Sequence, residues 1–155
     1  MAIYAATTVW RRNGAAFTDN KYSRAHEWRF DEGVVVPASS SPHVVPPPYS
    51  VRAAVDPEEA FVASLSSCHM LFFLAYAAKD GFVVDEYVDA AEGTLGRNAA
   101  GKMAMTTVSL RPRCVFAVDR QPTREEELAL HHRAHVECFI ASSVNTAIEC
   151  IPGVR

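Results

Sequence analysis

The segment DPEEAFVASLSSCHMLFFLAYAAKDG, residues 56–81, decides the fold. Asp56 is a suitable N-cap, Pro57 suits the first helical position, and the two glutamates that follow favour the positive end of a helix dipole. The 19 residues from Ala60 to Ala78 contain no Asp, Glu, Lys or Arg, and their apolar side chains cover every face of a helix. The segment therefore predicts a long helix that is buried all round and ends at Lys79–Gly81.

A membrane span is the competing interpretation, because 19 uncharged residues approach the length that crosses a bilayer. Three serines, Cys68 and His69 lie within the segment, and its flank is acidic rather than basic. We therefore expect a buried core helix and no membrane association.

Length and composition are those of a single globular domain over residues 1–155. A net charge of −3 with scattered basic residues gives no footprint for nucleic acid. The N-terminus lacks the basic and apolar regions of a signal peptide, and the four cysteines show no short paired spacing. We expect a cytoplasmic protein with reduced cysteines and no cofactor.

Strands are predicted on both sides of the helix from alternating, β-branched and aromatic residues. They cover residues 3–10, Tyr22–Phe30, Phe82–Ala91, a short piece at Gly93–Leu95, Lys102–Leu110, Arg113–Val118 and Val144–Ile151. Asn13-Gly14 is a hairpin turn signal, and Arg111-Pro112 predicts a bend. The proline-rich residues 37–48 predict an ordered loop, because proline cannot join a sheet ladder.

A second helix is predicted to begin at Thr123, which forms a capping box with Glu126, and its apolar positions lead to Cys138. The order of elements indicates an α+β fold with antiparallel pairing rather than a doubly wound sheet. A helix that is apolar on every face needs cover on every side, which 155 residues barely supply. A dimer that shares this helix would supply it.

Cys68 lies in the middle of the first helix, and a thiol becomes reactive when a nearby cation or helix N-terminus stabilises its thiolate. The helix start lies ~15 Å away along the axis, and His69 points roughly 100° away around it, so the cation must come from elsewhere. Cys138 is the candidate second thiol, since a sulfenic acid is rescued when another thiol condenses with it. The alternative is that either cysteine only packs as a small hydrophobe.

A metal site competes for Cys138. His131, His135 and Cys138 fall at i, i+4 and i+7, which is one face of a helix, and zinc accepts imidazole and thiolate ligands. The alternative is a solvated, His-rich face with Cys138 turned inward.

The second strand offers a cation. Tyr22, Arg24 and His26 share one face with further aromatic residues, so Arg24 enters the core if this face is buried, and it then needs a carboxylate partner. Glu58 or Glu59 could be that partner, or either could be only a first-turn acid favoured by the helix dipole. Arg29 then faces solvent. Arg12 and Arg52 are alternative cations.

Taken together, these residues resemble the OsmC/Ohr family of thiol-dependent organic hydroperoxide reductases. The resemblance rests on Asp56–Phe61 leading to Cys68 and on the second cysteine in Ala134–Cys138, and the order of elements agrees over nearly the whole chain. The sequence departs from the family in its Asp-Pro helix start, where Asn-Pro is frequent, and in Phe139–Ile140, which replace the usual proline after the second cysteine.

The resemblance implies antiparallel sheets wrapped around two long central helices in an intertwined homodimer, with the site at the dimer interface. It implies that an organic hydroperoxide oxidises Cys68 to a sulfenic acid, and that Cys138 then forms a disulfide which a dithiol reductant reopens. Glu58 matches the family's acid, which holds an arginine against the reactive thiolate. We assign this arginine to Arg24. Cys114 and Cys150 match no functional residue, so we predict that they are structural.

The sequence is therefore compatible with three functions. The leading one is a peroxidase with no metal. The second is a zinc-binding protein or metalloenzyme that uses His131, His135 and Cys138. The third is a dimeric binding module for a small apolar ligand, in which Cys68 only packs.

Overall fold

The computed structural model describes residues 1–153, which contain eight strands, two α-helices and two short 3-10 turns. The elements are β1 (Thr7–Val9), β2 (His26–Arg29), a turn at Asp31–Gly33, β3 (Val35–Ala38), α1 (Pro57–Lys79), β4 (Val84–Asp89), β5 (Glu92–Arg97), β6 (Met103–Leu110), β7 (Pro112–Phe116), α2 (Arg124–Glu137), a turn at Ala141–Ser143 and β8 (Ala147–Cys150). They belong to two compact units, Met1–Ala60 and a second unit from Phe61 onward. The single domain expected from length stays a prediction.

The first unit contains an antiparallel sheet in the order β1-β2-β3. Strand β2 begins at His26, four residues later than predicted from Tyr22, because the backbone amide of Arg24 bonds to the carbonyl of Tyr49 rather than to a strand of the sheet. The hairpin signal is confirmed only as a turn: Asn13 and Gly14 have φ values of 50° and 77°, which favour these two residue types, but they do not join two strands directly. The turn lies inside the long connection between β1 and β2.

Two residues of the proline-rich segment, Pro37 and Ala38, contradict the predicted loop. Pro37 is part of β3 and stands opposite Glu27 of β2. Strand β3 lies at the edge of the three-stranded sheet, where a residue without an N–H group is tolerated because that side needs no ladder donor.

The start and end of α1 follow the local sequence. Asp56 and Glu59 form reciprocal bonds, in which the Glu59 amide donates to Oδ1 of Asp56 at 2.8 Å and the Asp56 amide donates to Oε2 of Glu59 at 3.1 Å. At the other end Gly81 has φ 80°, and the Phe82 amide donates to the carbonyl of Ala77. This Schellman arrangement stops the helix where a left-handed residue is needed.

Within this chain α1 is not buried all round, which corrects the prediction. Its buried residues are Leu65, His69, Phe73 and Ala77, spaced by four, so they form one stripe. Leu71 is 62% exposed on another face. Among the described residues, α1 is the one helix whose length and apolar composition would allow it to cross a membrane, and core helices can have the same length and composition.

The second unit contains two sheets. Strands β4 and β7 pair antiparallel, with Pro112 as the first residue of β7 rather than part of a bend. The other sheet has the order β5-β6-β8. Strands β5 and β6 pair antiparallel, but β8 runs parallel to β6, whereas the sequence predicted antiparallel pairing only. The predicted capping box of Thr123 and Glu126 at the start of α2 is confirmed.

Two clusters form the core of this unit. The larger one comprises Phe73, Ala77, Phe82, Phe116, Leu130 and Ala134, and the smaller one comprises Leu65, Val108 and Leu110. Both clusters include residues from the buried stripe of α1, so packing fixes the position of α1 relative to α2 and the strands. The stripe also includes the polar residue His69, which is therefore held among these core residues.

Candidate functional site

The structure brings the two predicted thiols together. Cys68 is half-buried on α1, and Cys138 is 1% exposed at the end of α2. Both are free thiols. Burial, together with a hydrogen bond to the Cys68 side chain, raises the pKa of Cys138 to about 11. At neutral pH Cys138 is therefore a protonated thiol in contact with Cys68, and we call these two residues the thiol pair.

The end of α2 positions Cys138. This residue is the C-cap, with φ −64° and ψ 113°, so the helix stops before it without a following proline. The amide of Ala141 donates to the Cys138 sulfur at 3.4 Å, and the amide and hydroxyl of Ser142 both donate to its carbonyl oxygen at 3.0 Å. Phe139 packs edge to face on Phe72 with a ring separation of 5.0 Å. The helix break that exposes the second thiol to the first is thus made by other residues than proline.

Exposed apolar side chains lie on the same two helices. Leu71 of α1 is 62% exposed, and Val136 of α2 and the adjoining Phe139 are 56% and 72% exposed. Exposed apolar residues of this size are typical of interaction surfaces when they cluster. Phe139 directly follows Cys138, and its ring contacts Phe72 of α1.

In the first unit, Arg24 and Glu58 line the same cavity of about 430 Å³. Aromatic rings form much of its wall: the Phe17 and Tyr22 rings stack at 4.6 Å, and Trp10 meets the Tyr22 ring at 5.4 Å. The sequence left open whether the face of Tyr22 and Arg24 is buried: both side chains are half-buried and line this cavity, and both precede β2.

Arg24 satisfies its charge with neutral partners. Its guanidinium donates to the carbonyl oxygens of Asn20 at 2.9 Å and Tyr22 at 2.5 Å and to Oδ1 of Asn20 at 2.6 Å, and it lies 3.9 Å from the centre of the Tyr22 ring. Among residues 1–153, no ion pair within 4.0 Å includes Arg24 or Glu58. Of the alternative cations, Arg52 is exposed, and Arg12 is exposed and donates to the Ala15 carbonyl.

Arg29 has the solvent-facing role predicted for it. Its side chain is 47% exposed and pairs with Glu27 at 2.8 Å.

The metal site predicted on α2 is not formed by the predicted residues. Two groups of three potential ligands have donor atoms within 4.8 Å of one another in the described part of the chain, and neither is His131, His135 and Cys138. The prediction assumed that the helix continues to Cys138, but α2 ends at Glu137 and the cysteine turns toward Cys68.

His131 instead belongs to a cluster with His69 and Cys150, which we call the imidazole–thiol cluster. Nε2 of His69 lies 3.0 Å from Nδ1 of His131, and the Cys150 sulfur lies 3.6 Å from the same Nε2 atom. The two imidazoles are parallel within 10° and meet edge to edge, and they are 1% and 2% exposed. Their outer nitrogens, Nδ1 of His69 and Nε2 of His131, have no hydrogen-bond partner.

Burial keeps this cluster uncharged. It lowers the pKa of His69 to about 4, with a further lowering by His135 and an opposing effect of Asp89. It lowers the pKa of His131 to about 3, to which His69 and Arg124 add. Both imidazoles are therefore neutral at pH 7.

The thiol of the cluster is uncharged as well. Burial, and then the charge of Asp89, raise the pKa of Cys150 to about 12.

Sequence reasoning missed two residues of this cluster. Cys150 matched no functional pattern, and His69 was considered only as a neighbour of Cys68. One signal was present: His69 lies four residues from both Leu65 and Phe73 in an uncharged helix, so it shares their buried stripe. A buried imidazole needs a polar partner.

Comparison with known proteins gives a consistent result. The family model for OsmC-like proteins matches residues 51–151. An OsmC-like protein of unknown function from Vibrio cholerae is 52% identical, with a TM-score of 0.97 over 99% of this chain and 100% of that chain. No curated protein matches the sequence.

More distant structures share the fold. An organic hydroperoxide resistance protein from Elizabethkingia anophelis is 16% identical, with a TM-score of 0.74 over 100% of this chain and 98% of that one. The organic hydroperoxide resistance protein OhrB of Bacillus subtilis is 17% identical, with a TM-score of 0.70 over 98% of this chain and 100% of that one. The mixed α+β architecture predicted from the sequence is thereby confirmed.

Proposed function

The chain belongs to the family of OsmC-like proteins, and we propose that it reduces organic hydroperoxides through the thiol pair. The observation that carries this proposal is the contact between Cys68 and Cys138, two thiols from different helices. The same fold occurs in proteins of organic hydroperoxide resistance. A packing role for Cys68 alone gives no reason for a second free thiol beside it.

In the proposed reaction, the Cys68 thiolate attacks the outer oxygen of a hydroperoxide ROOH. The O–O bond breaks, the alkoxide takes up a proton to leave as ROH, and Cys68 becomes a sulfenic acid. The protonated Cys138 thiol then condenses with it, which forms the disulfide and releases water. A dithiol reductant restores both thiols by exchange and is itself oxidised to a disulfide.

The half-exposed position of Cys68 fits the first step, and the buried position of Cys138 fits the second. A peroxidatic thiol must be reached by its substrate, whereas a resolving thiol needs only to be reached by the sulfenic acid. Because its pKa is raised, Cys138 does not compete for peroxide at neutral pH. The apolar side chains beside the pair favour an organic over an inorganic peroxide.

We further propose that Arg24 stabilises the Cys68 thiolate and that Glu58 positions Arg24. The support is that both side chains line one cavity. Glu58 must approach the guanidinium to take this role, because no ion pair within 4.0 Å joins the two in the described chain. The aromatic wall on which Arg24 rests would hold the guanidinium in a fixed orientation.

A homodimer is the proposed assembly. In this chain α1 buries only one stripe, and Leu71, Val136 and Phe139 remain more than half exposed. A second copy that covers these side chains would bury them. Light scattering should give twice the monomer mass, and Leu71→Arg should lower it; a monomeric wild-type protein would contradict the proposed assembly.

The central experiment treats the reduced protein with one equivalent of cumene hydroperoxide. We expect two free thiols to disappear and peptide mapping to find a Cys68–Cys138 disulfide. In the absence of dithiol, Cys138→Ser should consume one equivalent of peroxide and accumulate a sulfenic acid on Cys68, which dimedone traps, whereas the wild-type protein should form the disulfide instead. An unreacted Cys68 in the wild-type protein would exclude the proposed function.

A further inference from the structure

The imidazole–thiol cluster is not used by the peroxide reaction, and we propose that it is a buried binding site for a thiophilic d¹⁰ cation such as Zn²⁺. His69, His131 and Cys150 are the ligands. The site is distinct from the trio first predicted on α2 and shares only His131 with it.

The donor set and its spacing suit such an ion. Zinc binds imidazole nitrogen and thiolate sulfur in a tetrahedral shell. Bond lengths of ~2.05 Å to nitrogen and ~2.3 Å to sulfur place two nitrogens ~3.3 Å apart and a nitrogen and a sulfur ~3.6 Å apart. The observed distances are 3.0 Å between the two histidine nitrogens and 3.6 Å between His69 and Cys150. A tetrahedral angle of ~109° at the metal puts each metal–nitrogen bond ~35° off the line between the two nitrogens, so each ring must rotate by about this angle to exchange the hydrogen bond for two bonds to the metal. The third pair of donor atoms, a nitrogen of His131 and the Cys150 sulfur, belongs to the group whose members all lie within 4.8 Å of one another.

The protonation states also suit a ligand role. Both imidazoles are neutral, so each has one lone pair, and the proton of the hydrogen bond between them must move to an outer nitrogen before both inner nitrogens can bind a metal. The Cys150 thiol must also release its proton to solvent, which leaves one negative charge on the sulfur. The Asp89 carboxylate acts electrostatically on both His69 and Cys150, and the Arg124 cation acts on His131 with the opposite sign.

The outer shell of the site is only partly formed. A metal on the inner nitrogens would fix protons on Nδ1 of His69 and Nε2 of His131, and neither nitrogen has an acceptor in the structure. The Glu127 carboxylate and the Cys114 sulfur lie with a nitrogen of His131 in the second group of atoms within 4.8 Å of one another. Glu127, which also pairs with Arg124, is thus near enough to become the carboxylate acceptor that a metal-bound histidine usually has.

A route to the site is present as well. A cavity of about 230 Å³ is lined by His131 and Cys150, together with Leu128, His132, His135, Ile148 and Pro152. The fourth coordination position can therefore be taken by water from this cavity, and His135 on its wall is within electrostatic reach of His69.

The test uses the reduced full-length protein freed of metal. Titration with Co²⁺ should give one equivalent bound, with a thiolate-to-cobalt charge-transfer band, and Zn²⁺ should displace it. Cys150→Ser should lose the band and weaken Zn²⁺ binding by more than the ~10- to 100-fold typical of losing an outer-shell partner. The matched controls Cys68→Ser and Cys138→Ser, which alter the thiol pair, should keep the band.

Alkylation of the wild-type protein gives a second measurement that does not depend on a folded variant. One equivalent of Zn²⁺ should slow the modification of Cys150 and leave that of Cys68 unchanged, as read by peptide mapping. Absence of stoichiometric binding, an unprotected Cys150, or a band that disappears in Cys138→Ser but persists in Cys150→Ser would each overturn the proposal. None of these outcomes bears on the peroxide reaction, which is measured on Cys68.

Discussion

The thiol pair and the imidazole–thiol cluster start from adjacent residues of α1, yet they differ in almost every physical respect. Cys68 lies beside the buried stripe, half-open to solvent, and meets a second thiol. His69 lies within the stripe, 1% exposed, and meets an imidazole and the thiol of Cys150. A rotation of roughly 100° around one helix separates the two environments.

Cys68 and Cys150 are both half-exposed, so their neighbours rather than their exposure separate the two kinds of thiol chemistry. A thiol that meets a second thiol can turn over a peroxide, whereas a thiol beside two buried imidazoles is suited to hold an ion. Four measurements test this difference.

The largest effect is expected from Cys68→Ser. Removal of the attacking sulfur should lower the rate of cumene hydroperoxide consumption by at least ~10³-fold, because a hydroxyl does not form the sulfenic acid. The rate is followed as dithiol-dependent loss of peroxide. Cys114→Ser is the matched control and should keep the wild-type rate. If Cys68→Ser consumes peroxide as fast as the wild-type protein, another thiol carries out the reaction and the proposed role of the thiol pair is wrong.

Alkylation in the presence of a chelator should rank the thiols by environment. At pH 8 a thiol with a pKa of about 11 is ionised in roughly one molecule in 10³, and one with a pKa of about 12 in roughly one in 10⁴. We expect iodoacetamide to modify Cys68 first, with Cys138 and Cys150 slower by about 100-fold or more. The alkylation rates of Cys138 and Cys150 should rise about tenfold for each pH unit up to pH 10. If Cys150 reacts first, the cluster is open to solvent rather than buried.

Arg24→Ala should slow the oxidation of Cys68 by about 10- to 100-fold at pH 7, because the loss of a nearby positive charge reduces the thiolate fraction. Stopped-flow measurement of sulfenic acid formation gives this rate directly. Arg24→Lys keeps the charge and should recover part of it, and the exposed Arg52→Ala should leave it unchanged. A slowing in Arg52→Ala alone would identify that residue as the cation instead.

The sequence allowed much of the fold to be predicted, because its strongest signals are local. Asp56 with Pro57 and Thr123 with Glu126 mark the helix starts within a few residues, and both are confirmed. The parallel pairing of β8 with β6 depends on contacts between distant segments, which periodicity does not describe.

The candidate site was predictable only where its residues lie in recognisable local segments of the sequence. The resemblance to a family supplied Cys68 and Cys138, and their contact followed from the fold. The imidazole–thiol cluster joins α1, α2 and β8, and no single stretch of sequence holds its spacing. The trio on α2 had the right spacing for one helical face, but the helix ends before its third member.

The smallest effect concerns stability, and it tests whether the two histidines are buried and neutral as described. Their folded pKa values, about 4 for His69 and about 3 for His131, lie below the ordinary value of 6.5. The unfolded chain therefore binds protons that the folded chain does not, once the pH falls below about 6.5. The free energy of unfolding should be unaffected by these residues above that pH. It should fall by up to about 1.4 kcal/mol per pH unit for each histidine between pH 6 and about 4.5.

Urea unfolding of the metal-free protein at pH 7.5, 6 and 5 measures this loss, and the variants assign it. His135, Asp89, Arg124 and Glu127 also lie near the two rings, so the wild-type slope includes their charges. His131→Gln should remove about one proton from the slope, whereas the exposed His132→Gln should leave the slope unchanged. An unchanged slope in His131→Gln would mean that this imidazole already carries a proton in the folded chain. In that case the two imidazoles are a charged hydrogen-bonded pair, and the imidazole–thiol cluster does not offer two neutral ligands to a cation.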